Sequence, residues 1–241
     1  VMAHEKEKEK EKPTNVLAWE VGTDLGCGAF AGGVAQHLIQ DLGYEYDMFL
    51  GTSTGSLLIP HLSLNKIDKV YNLFTNVTQR DIFSVSPFVQ RQKGNREYVS
   101  IDFVNSLWQF IRKKRTFGES KHLKRNIKRN FSKEEFEEIL ATKEDVVVTV
   151  SNLSKNRVEY KSINDFGYSD FCDWIWISCN YTPFMSFVKK QGCEYADGGF
   201  GSMVPIEEAI NRGATVVDVI ILETEVAYYN KLPSRNVFSL L

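Results

Sequence analysis

A serine between two glycines is the feature of this sequence best suited to chemistry. Residues 51–55 read Gly-Thr-Ser-Thr-Gly and fit the pattern G-x-S-x-G, in which a serine occupies a sharp turn between a strand and a helix. Gly51 and Gly55 support such a turn because a Cβ atom would keep the strand and the helix apart. We therefore predict that Ser53 is the nucleophile of an acyl-transfer reaction. The alternative is a glycine-serine turn with a purely structural role.

The segments on both sides of this turn favour the catalytic interpretation. Residues 46–50 are typical of a short buried strand, and residues 56–59 continue as the start of an apolar helix. The N-terminus of that helix would direct partial positive charge at an oxyanion formed beside Ser53. The backbone N–H of Thr54 is accordingly a candidate oxyanion donor.

A nucleophilic serine needs a base, and the histidines of this chain are poorly placed for that role. The sequence contains only His4, His37, His61 and His122, so none lies near the C-terminus as the α/β-hydrolase order requires. His61 would lie roughly 12 Å from Ser53 along the same predicted helix. A Ser-His-Asp triad is therefore disfavoured.

An aspartate followed by two glycines is the best remaining candidate for the base. Asp197, Gly198 and Gly199 follow a predicted hairpin whose strands are residues 187–189 and 193–195. On an ordered loop with partial burial, a carboxylate has a raised pKa and can accept a proton directly from serine. We predict Asp197 as the base, although in isolation these three residues also fit a plain turn.

The elements that must position these residues alternate between strand and helix. The sequence predicts strands at 16–21, 46–50, 146–150, 157–161 and 215–222, and helices at 32–42, 66–75 and 207–211. Such alternation predicts an α/β fold with a mostly parallel central sheet flanked by helices. Ligands bind such sheets at the carboxyl ends of the strands, where Ser53 is expected.

With both motifs in place, the chain resembles the patatin-like phospholipase family. The resemblance covers residues 15–222 and includes residues 51–55 as the nucleophile elbow, residues 197–199 as the family's D-G-[GA] motif, and the small-residue segment 176–184. The separation of 144 residues between serine and aspartate also suits the family. The resemblance implies a patatin-like three-layer fold and a lipid acyl hydrolase with a Ser-Asp dyad, an acyl-enzyme, and no metal or cofactor.

The loop after the first predicted strand departs from that family. Its members carry a glycine-rich loop, G-G-G-x-[KR]-G, whose N–H groups form the oxyanion hole, whereas this chain has Thr-Asp-Leu at residues 23–25 and Cys27 at the basic position. We expect Gly26, Cys27 and Gly28 to supply the donors together with Thr54. Two alternatives stay open: a catalytically silent protein that binds lipid or a partner, and an acyltransferase on the same site.

Composition sets the remaining bounds on this chain. Its 241 residues are 43% hydrophobic and 25% charged, as in a soluble domain, and a net charge of −2 argues against nucleic acid as a partner. Four cysteines without C-x-x-C spacing predict free thiols in a cytoplasmic location, and no apolar run reaches the length of a membrane span. We expect a charged tail at 1–14 and a catalytic domain at 15–241 whose last elements are missing from the chain.

One stretch of the chain is strongly basic. Residues 112–133 contain ten lysines and arginines and one acid, Glu119. One interpretation is a transient contact with an anionic membrane surface, which would make the protein peripheral to the membrane. The other, which is the commoner case, is a solvated pair of helices balanced by the acidic residues at 134–138.

Overall fold

A computed structural model of the chain describes residues 14–19, 25–93, 96–142 and 144–221. The predicted tail up to residue 13, the positions of Thr23 and Asp24, and residues 222–241 lie outside the described residues. Within them the strands are β1 (Asn15–Trp19), β2 (Met48–Thr52), β3 (Phe88–Lys93), β4 (Arg96–Ile101), β5 (Asp145–Asn152), β6 (Arg157–Ser162), β7 (Val188–Lys190), β8 (Cys193–Asp197) and β9 (Val216–Ile220). The helices are α1 (Leu25–Gln36), α2 (Thr54–Ser63), α3 (Ile67–Thr75), α4 (Gln79–Ile82), α5 (Phe103–Ile111), α6 (Lys121–Asn130), α7 (Lys133–Ala141), α8 (Tyr168–Ser178) and α9 (Ile206–Asn211).

The central sheet is mixed, with a parallel centre. β1 pairs in parallel with β2 and with β9, and β2 pairs in parallel with β5. β6, β7 and β8 join the sheet antiparallel. The predicted α/β class with a mostly parallel sheet is therefore confirmed, and so is the predicted hairpin, which is formed by β7 and β8.

Helices cover the two faces of this sheet, as side-chain alternation along β5 shows. Val146, Val148 and Val150 enter a large apolar cluster with residues of α2, α7 and α8. Val147 points the other way and joins a small cluster that includes Ala209 of α9. Successive side chains of a strand point to opposite faces, so β5 is buried on both sides as expected for the middle of a three-layer α/β fold.

The pairing of β5 brings the ends of β2 and β8 together. Residues 147–152 of β5 pair with β6 along one edge, so β2 and β8 must share the other edge. On that edge Thr52, the last residue of β2, pairs with Thr149, and Asp197, the last residue of β8, pairs with Val150. β2 runs parallel to β5 and β8 runs antiparallel to it, so these two strands point at each other and meet at their carboxyl ends.

Two parts of the fold differ from the sequence-based prediction. The first helix was expected to start near residue 32, but α1 begins at Leu25 and continues past Gln36 as a π-helical turn, His37–Asp41. The second difference is the hairpin of β3 and β4 and the helix α5 between α4 and the basic stretch, for which the sequence pattern gave no assignment. Gly32 indicates the reason for the first difference: a Cβ there would lie 3.1 Å from Val70 of α3, so close packing of α1 outweighs the poor helix propensity of its glycines.

Candidate active site

Ser53 occupies the turn between β2 and α2. Its φ of 52° and ψ of −118° lie in a region that residues other than glycine rarely adopt, at a cost on the order of 1–3 kcal/mol. Gly51 allows the turn to close, because a Cβ at that position would lie 2.6 Å from the carbonyl carbon of Gly55. A serine at the start of a helix usually caps it, but the Ser53 hydroxyl makes no capping bond to α2. The hydroxyl is therefore available for another partner.

That partner is Asp197, which lies at the end of β8. Ser53 Oγ donates a hydrogen bond to Asp197 Oδ2 at 2.6 Å, and the Gly199 N–H donates to Oδ1 at 2.8 Å. Gly198 lets the loop lie directly against β5, since a Cβ there would be 2.3 Å from the carbonyl oxygen of Thr149. The structure thus brings together the two side chains that the sequence predicted as nucleophile and base.

Burial sets the protonation behaviour of Asp197. Its side chain is fully buried, and the desolvation of the carboxylate raises its pKa to about 6, although the hydrogen bonds from Ser53 and Gly199 act in the opposite direction. At neutral pH most of the carboxylate is still deprotonated and can accept a proton. A pKa near the working pH is what a general base needs.

The C-terminal end of α8 holds both residues in place. Ser178 Oγ accepts the Ser53 N–H at 3.0 Å, and Cys179 Sγ donates to the Ser53 carbonyl oxygen at 3.0 Å. Burial raises the pKa of the Cys179 thiol well above its ordinary value, so the thiol stays a donor. The Asn180 carbonyl oxygen accepts the Asp197 N–H at 3.0 Å. Sequence reasoning noted this small-residue segment but missed these roles, for which the only signal was a run of small polar residues ending an aromatic helix.

The sequence profile described as "Patatin-like phospholipase" matches residues 26–210, which is more than half of the chain. The chain belongs to the patatin-like phospholipase family.

Solved structures add a more distant likeness. The chain is similar to VipD from Legionella pneumophila, with 11% identity and a TM-score of 0.48 over 80% of this chain and 46% of that one. The chain therefore spans less than half the length of that protein. No curated protein is similar enough to count as a match.

In this patatin-like domain the four expected oxyanion donors lie at the starts of two helices. Gly26, Cys27 and Gly28 belong to the first turn of α1, so the prediction that they form an irregular loop is wrong, while Thr54 is the first residue of α2. Trp19, the last residue of β1, pairs with Gly51 of β2. The role of the four expected donors in the oxyanion hole stays a prediction.

The histidines occupy other parts of the patatin-like domain. His37 pairs with Asp41 at 2.9 Å on the surface, and His122 Nδ1 lies 2.7 Å from the carbonyl oxygen of Arg80. His61 is buried in α2, and desolvation lowers its pKa to about 4. Among the described residues, none of these three hydrogen-bonds to Ser53.

A cavity of about 410 Å³ lies beside the helix that carries the elbow. It is bounded by α2, α3, α6 and α8, and its apolar lining includes Leu57, Leu73, Leu123, Ile127 and Ile175. Leu57 lies one helical turn after Ser53 on α2. Neither Ser53 nor Asp197 lines the cavity, whose volume is in a range suited to small ligands.

The basic stretch at 112–133 divides into a turn and the helix α6. On α6, Lys124 and Lys128 lie 2.9 Å and 4.0 Å from Asp173, and Lys121 pairs with Glu119. Much of its charge is thus engaged within the protein. Membrane contact through the whole stretch stays a prediction.

Three further findings apply only to the portion of the chain that the structure describes. Cys172, Cys179 and Cys193 are free thiols, in line with the sequence-based expectation. No helix in this portion combines the length and the apolar character needed to cross a bilayer. No cluster of three or more His, Cys, Asp or Glu side chains in it is arranged to hold a metal ion.

Proposed function

We propose that this protein is a phospholipase A-like serine hydrolase that cleaves carboxylic esters of lipids through Ser53 and Asp197. The observation that carries the proposal is the buried 2.6 Å hydrogen bond from Ser53 Oγ to Asp197 Oδ2 on a strained elbow. Membership of the patatin-like phospholipase family supports a lipid ester as the substrate. We expect the protein to act on its substrate in the cytoplasm.

The reaction proceeds in two stages on the same serine. Ser53 Oγ attacks the ester carbonyl carbon while Asp197 Oδ2 takes the hydroxyl proton, and the tetrahedral intermediate collapses as Asp197 returns that proton to the leaving alcohol. The acyl group is then bound to Ser53. Water attacks this acyl-enzyme while Asp197 accepts its proton. The second tetrahedral intermediate collapses as Asp197 returns that proton to Ser53 Oγ, which releases the fatty acid and restores the serine. This chemistry uses no metal or cofactor.

Backbone N–H groups stabilise the oxyanion in this proposal. The first N–H groups of a helix have no acceptor within it, and the helix dipole adds partial positive charge at the same end. Gly26 and Cys27, the second and third residues of α1, meet that requirement, whereas Gly28 is the fourth residue, where intrahelical bonding begins. Thr54 at the start of α2 follows the nucleophile directly. Removal of one such donor costs about 10²–10³ in rate.

The cavity beside α2 supports a long-chain substrate. One of its lining residues, Leu57, lies one helical turn beyond Ser53, and much of its lining is apolar. In this proposal the acyl chain lies in the cavity while the ester carbonyl faces the serine hydroxyl. Burial of each CH₂ group stabilises the complex by about 0.8 kcal/mol. We therefore expect turnover to improve with acyl-chain length until the cavity is filled.

The test is hydrolysis of defined phospholipids by wild-type protein and by Ser53→Ala, with released fatty acid quantified by mass spectrometry. We expect Ser53→Ala to lower turnover by about 10⁴-fold or more, as loss of a covalent nucleophile does. Ser63→Ala is the matched control, because Ser63 lies on the same helix and its hydroxyl donates to the Pro60 carbonyl oxygen, away from the dyad. Equal rates in wild type and Ser53→Ala, or no fatty acid from any ester, would contradict the proposal.

A further inference from the structure

Helix α5 has its apolar side chains outside and its polar side chains inside. Six of its nine residues are large, apolar and between 52% and 79% exposed: Phe103, Val104, Leu107, Trp108, Phe110 and Ile111. The two buried residues are Ser106 and Gln109, and their side-chain polar atoms have no hydrogen-bond partner among the described residues. A surface helix normally has the reverse arrangement.

This inversion is costly in water. Each buried polar group without a partner costs about 1–3 kcal/mol, and the outward side chains leave a large apolar surface hydrated. Contiguous apolar surface of this kind usually marks an interaction site. We refer to the outward residues of α5 as the α5 face.

A cluster of positive charge follows the α5 face directly. Residues 103–118 contain four basic residues and no acidic one, and the four are consecutive at 112–115. Arg112 and Lys113 are exposed and form no ion pair with any described residue, whereas Lys114 and Arg115 pair with Glu119 and Glu194. An apolar helix face bordered by free cations is the combination that binds the interface of an anionic bilayer.

A row of aromatic rings connects the α5 face to the candidate active site. The ring of Phe110 lies 5.6 Å from that of Phe117, which lies 5.8 Å from that of Phe184. Phe184 stacks on Tyr181 at 6.2 Å, and Tyr181 stacks on Phe200 at 5.4 Å. Phe200 is three residues beyond the proposed base, and both Tyr181 and Phe200 are about half exposed. Ring contacts therefore connect α5 to the edge of the site, through the buried Phe184.

We propose that the α5 face and the basic turn at residues 112–115 dock this protein on an anionic lipid membrane. The apolar side chains enter the interfacial region, and Arg112 and Lys113 contact the negatively charged headgroups. The inference rests on the proposed function, since a lipid acyl hydrolase has to bring its site to the bilayer. The inference also moves the predicted membrane contact away from α6, whose Lys124 and Lys128 are engaged with Asp173.

A second copy of this chain is a weaker candidate for the same surface. In a two-fold dimer whose α5 helices run parallel, the basic turn of one copy would approach the basic turn of the other. Like charges brought together at an interface oppose association. An anionic bilayer, in contrast, satisfies the apolar and the cationic parts of the surface together.

The experiment measures vesicle flotation of the Ser53→Ala protein, so that lipid is not consumed. Phosphatidylcholine vesicles with and without phosphatidylserine are compared. We expect binding to depend on phosphatidylserine and to fall with salt. The double variant Arg112→Ala with Lys113→Ala should bind these vesicles about thirtyfold more weakly, because each cation contributes about 1 kcal/mol of binding free energy. Arg125→Ala with Arg129→Ala, which removes two exposed cations of α6, is the matched charge control and should bind as before.

The apolar contribution is tested with Leu107→Asp combined with Ile111→Asp, which should abolish flotation. Ile210→Asp is its control, because Ile210 on α9 is 60% exposed against 63% for Ile111. A blue shift of tryptophan emission on vesicles that disappears in Trp108→Phe provides a second measurement without a charge change. Thermal unfolding checks that each variant is folded.

Three outcomes would overturn the inference: flotation that survives the Leu107 and Ile111 changes, flotation that ignores phosphatidylserine, or a dimer in light scattering that the same changes dissociate. Failure of this inference is separable from failure of the proposed function. Wild-type hydrolysis of a water-soluble ester without vesicle binding contradicts only the docking surface. Vesicle binding without hydrolysis of any ester contradicts only the enzyme.

Discussion

Each oxygen of the Asp197 carboxylate has its own partner. Oδ1 accepts the Gly199 N–H and Oδ2 accepts the Ser53 hydroxyl, so the carboxylate is fixed in one orientation before substrate arrives. A base held in this way loses little entropy when it takes the proton. Burial raises the pKa of Asp197, which suits a general base, and it also makes the charged form of the carboxylate unfavourable in the folded protein. These two effects give one prediction for activity and one for stability.

The first prediction concerns the pH dependence of hydrolysis. Because Asp197 has to be deprotonated to act as base and its pKa is raised to about 6, kcat/KM for a water-soluble ester should rise with pH and level off above about 7. Asp197→Asn should lower the plateau by about 10²–10⁴-fold. His37→Gln and His122→Gln serve as controls and should keep the wild-type profile. A histidine variant as inactive as Ser53→Ala would show that the base had been misassigned.

The second prediction concerns stability. The pKa of Asp197 is higher in the folded protein than in the unfolded chain, so its contribution is most favourable below pH 4 and is lost as the pH rises through 6. A shift of this size corresponds to roughly 3 kcal/mol. Asp197→Asn removes the buried charge and should therefore raise the unfolding midpoint at pH 8 more than at pH 4. Urea unfolding of wild type and variant at pH 4 and pH 8 measures this difference in midpoint. An Asn variant less stable than wild type at pH 8 would contradict a raised pKa for Asp197.

At the scale of single elements, the elbow could be predicted because its requirements are local. Glycine at position 51, a serine at the bend and an apolar run after it are all visible within ten residues. The start of α1 could not be predicted in the same way. Its first residues are small and poor helix formers, and the helix is stabilised by packing against α3, which is distant in sequence.

The elbow gives a third prediction, with a matched pair of glycines. Gly51→Ala places a Cβ 2.6 Å from the backbone of Gly55 and should displace α2, so we expect turnover to fall by at least about 10²-fold. Gly33→Ala meets no atom within 4 Å and lies inside α1, so it should keep full activity and gain about 0.5–1 kcal/mol of stability. Steady-state kinetics and thermal unfolding check both variants. Full activity in Gly51→Ala would show that the elbow tolerates a wider turn.

At the scale of the whole molecule, the candidate site depends on the meeting of two strands. Ser53 and Asp197 are 144 residues apart, and they lie together because β2 and β8 point at each other along one edge of β5. No local sequence pattern shows that these two strands meet. Ser53 and Asp197 could be predicted as a pair only from two separate motifs and from the family resemblance. The polar contacts from Ser178 and Cys179 were not predictable, since they depend on where α8 ends relative to the elbow.

The cavity is also a property of the whole molecule, and it gives a fourth prediction. Leu73→Trp, from α3, should narrow the space between α2, α3, α6 and α8. We expect kcat/KM to fall about tenfold or more for long-chain esters and to change little for acetate or butyrate esters, because only long chains reach the obstruction. Tyr71→Trp, on the exposed side of the same helix, is the control. Equal losses for short and long chains would place the acyl chain elsewhere.

The most direct test of the account is covalent labelling by a fluorophosphonate, which reacts with activated serines. The account predicts a single adduct on Ser53, found by mass spectrometry of the digested protein. It should be absent in Ser53→Ala, strongly slowed in Asp197→Asn, and unchanged in Ser63→Ala. No adduct on folded wild-type protein, or an adduct on another residue, would contradict the central claim that Ser53 is a nucleophile activated by Asp197.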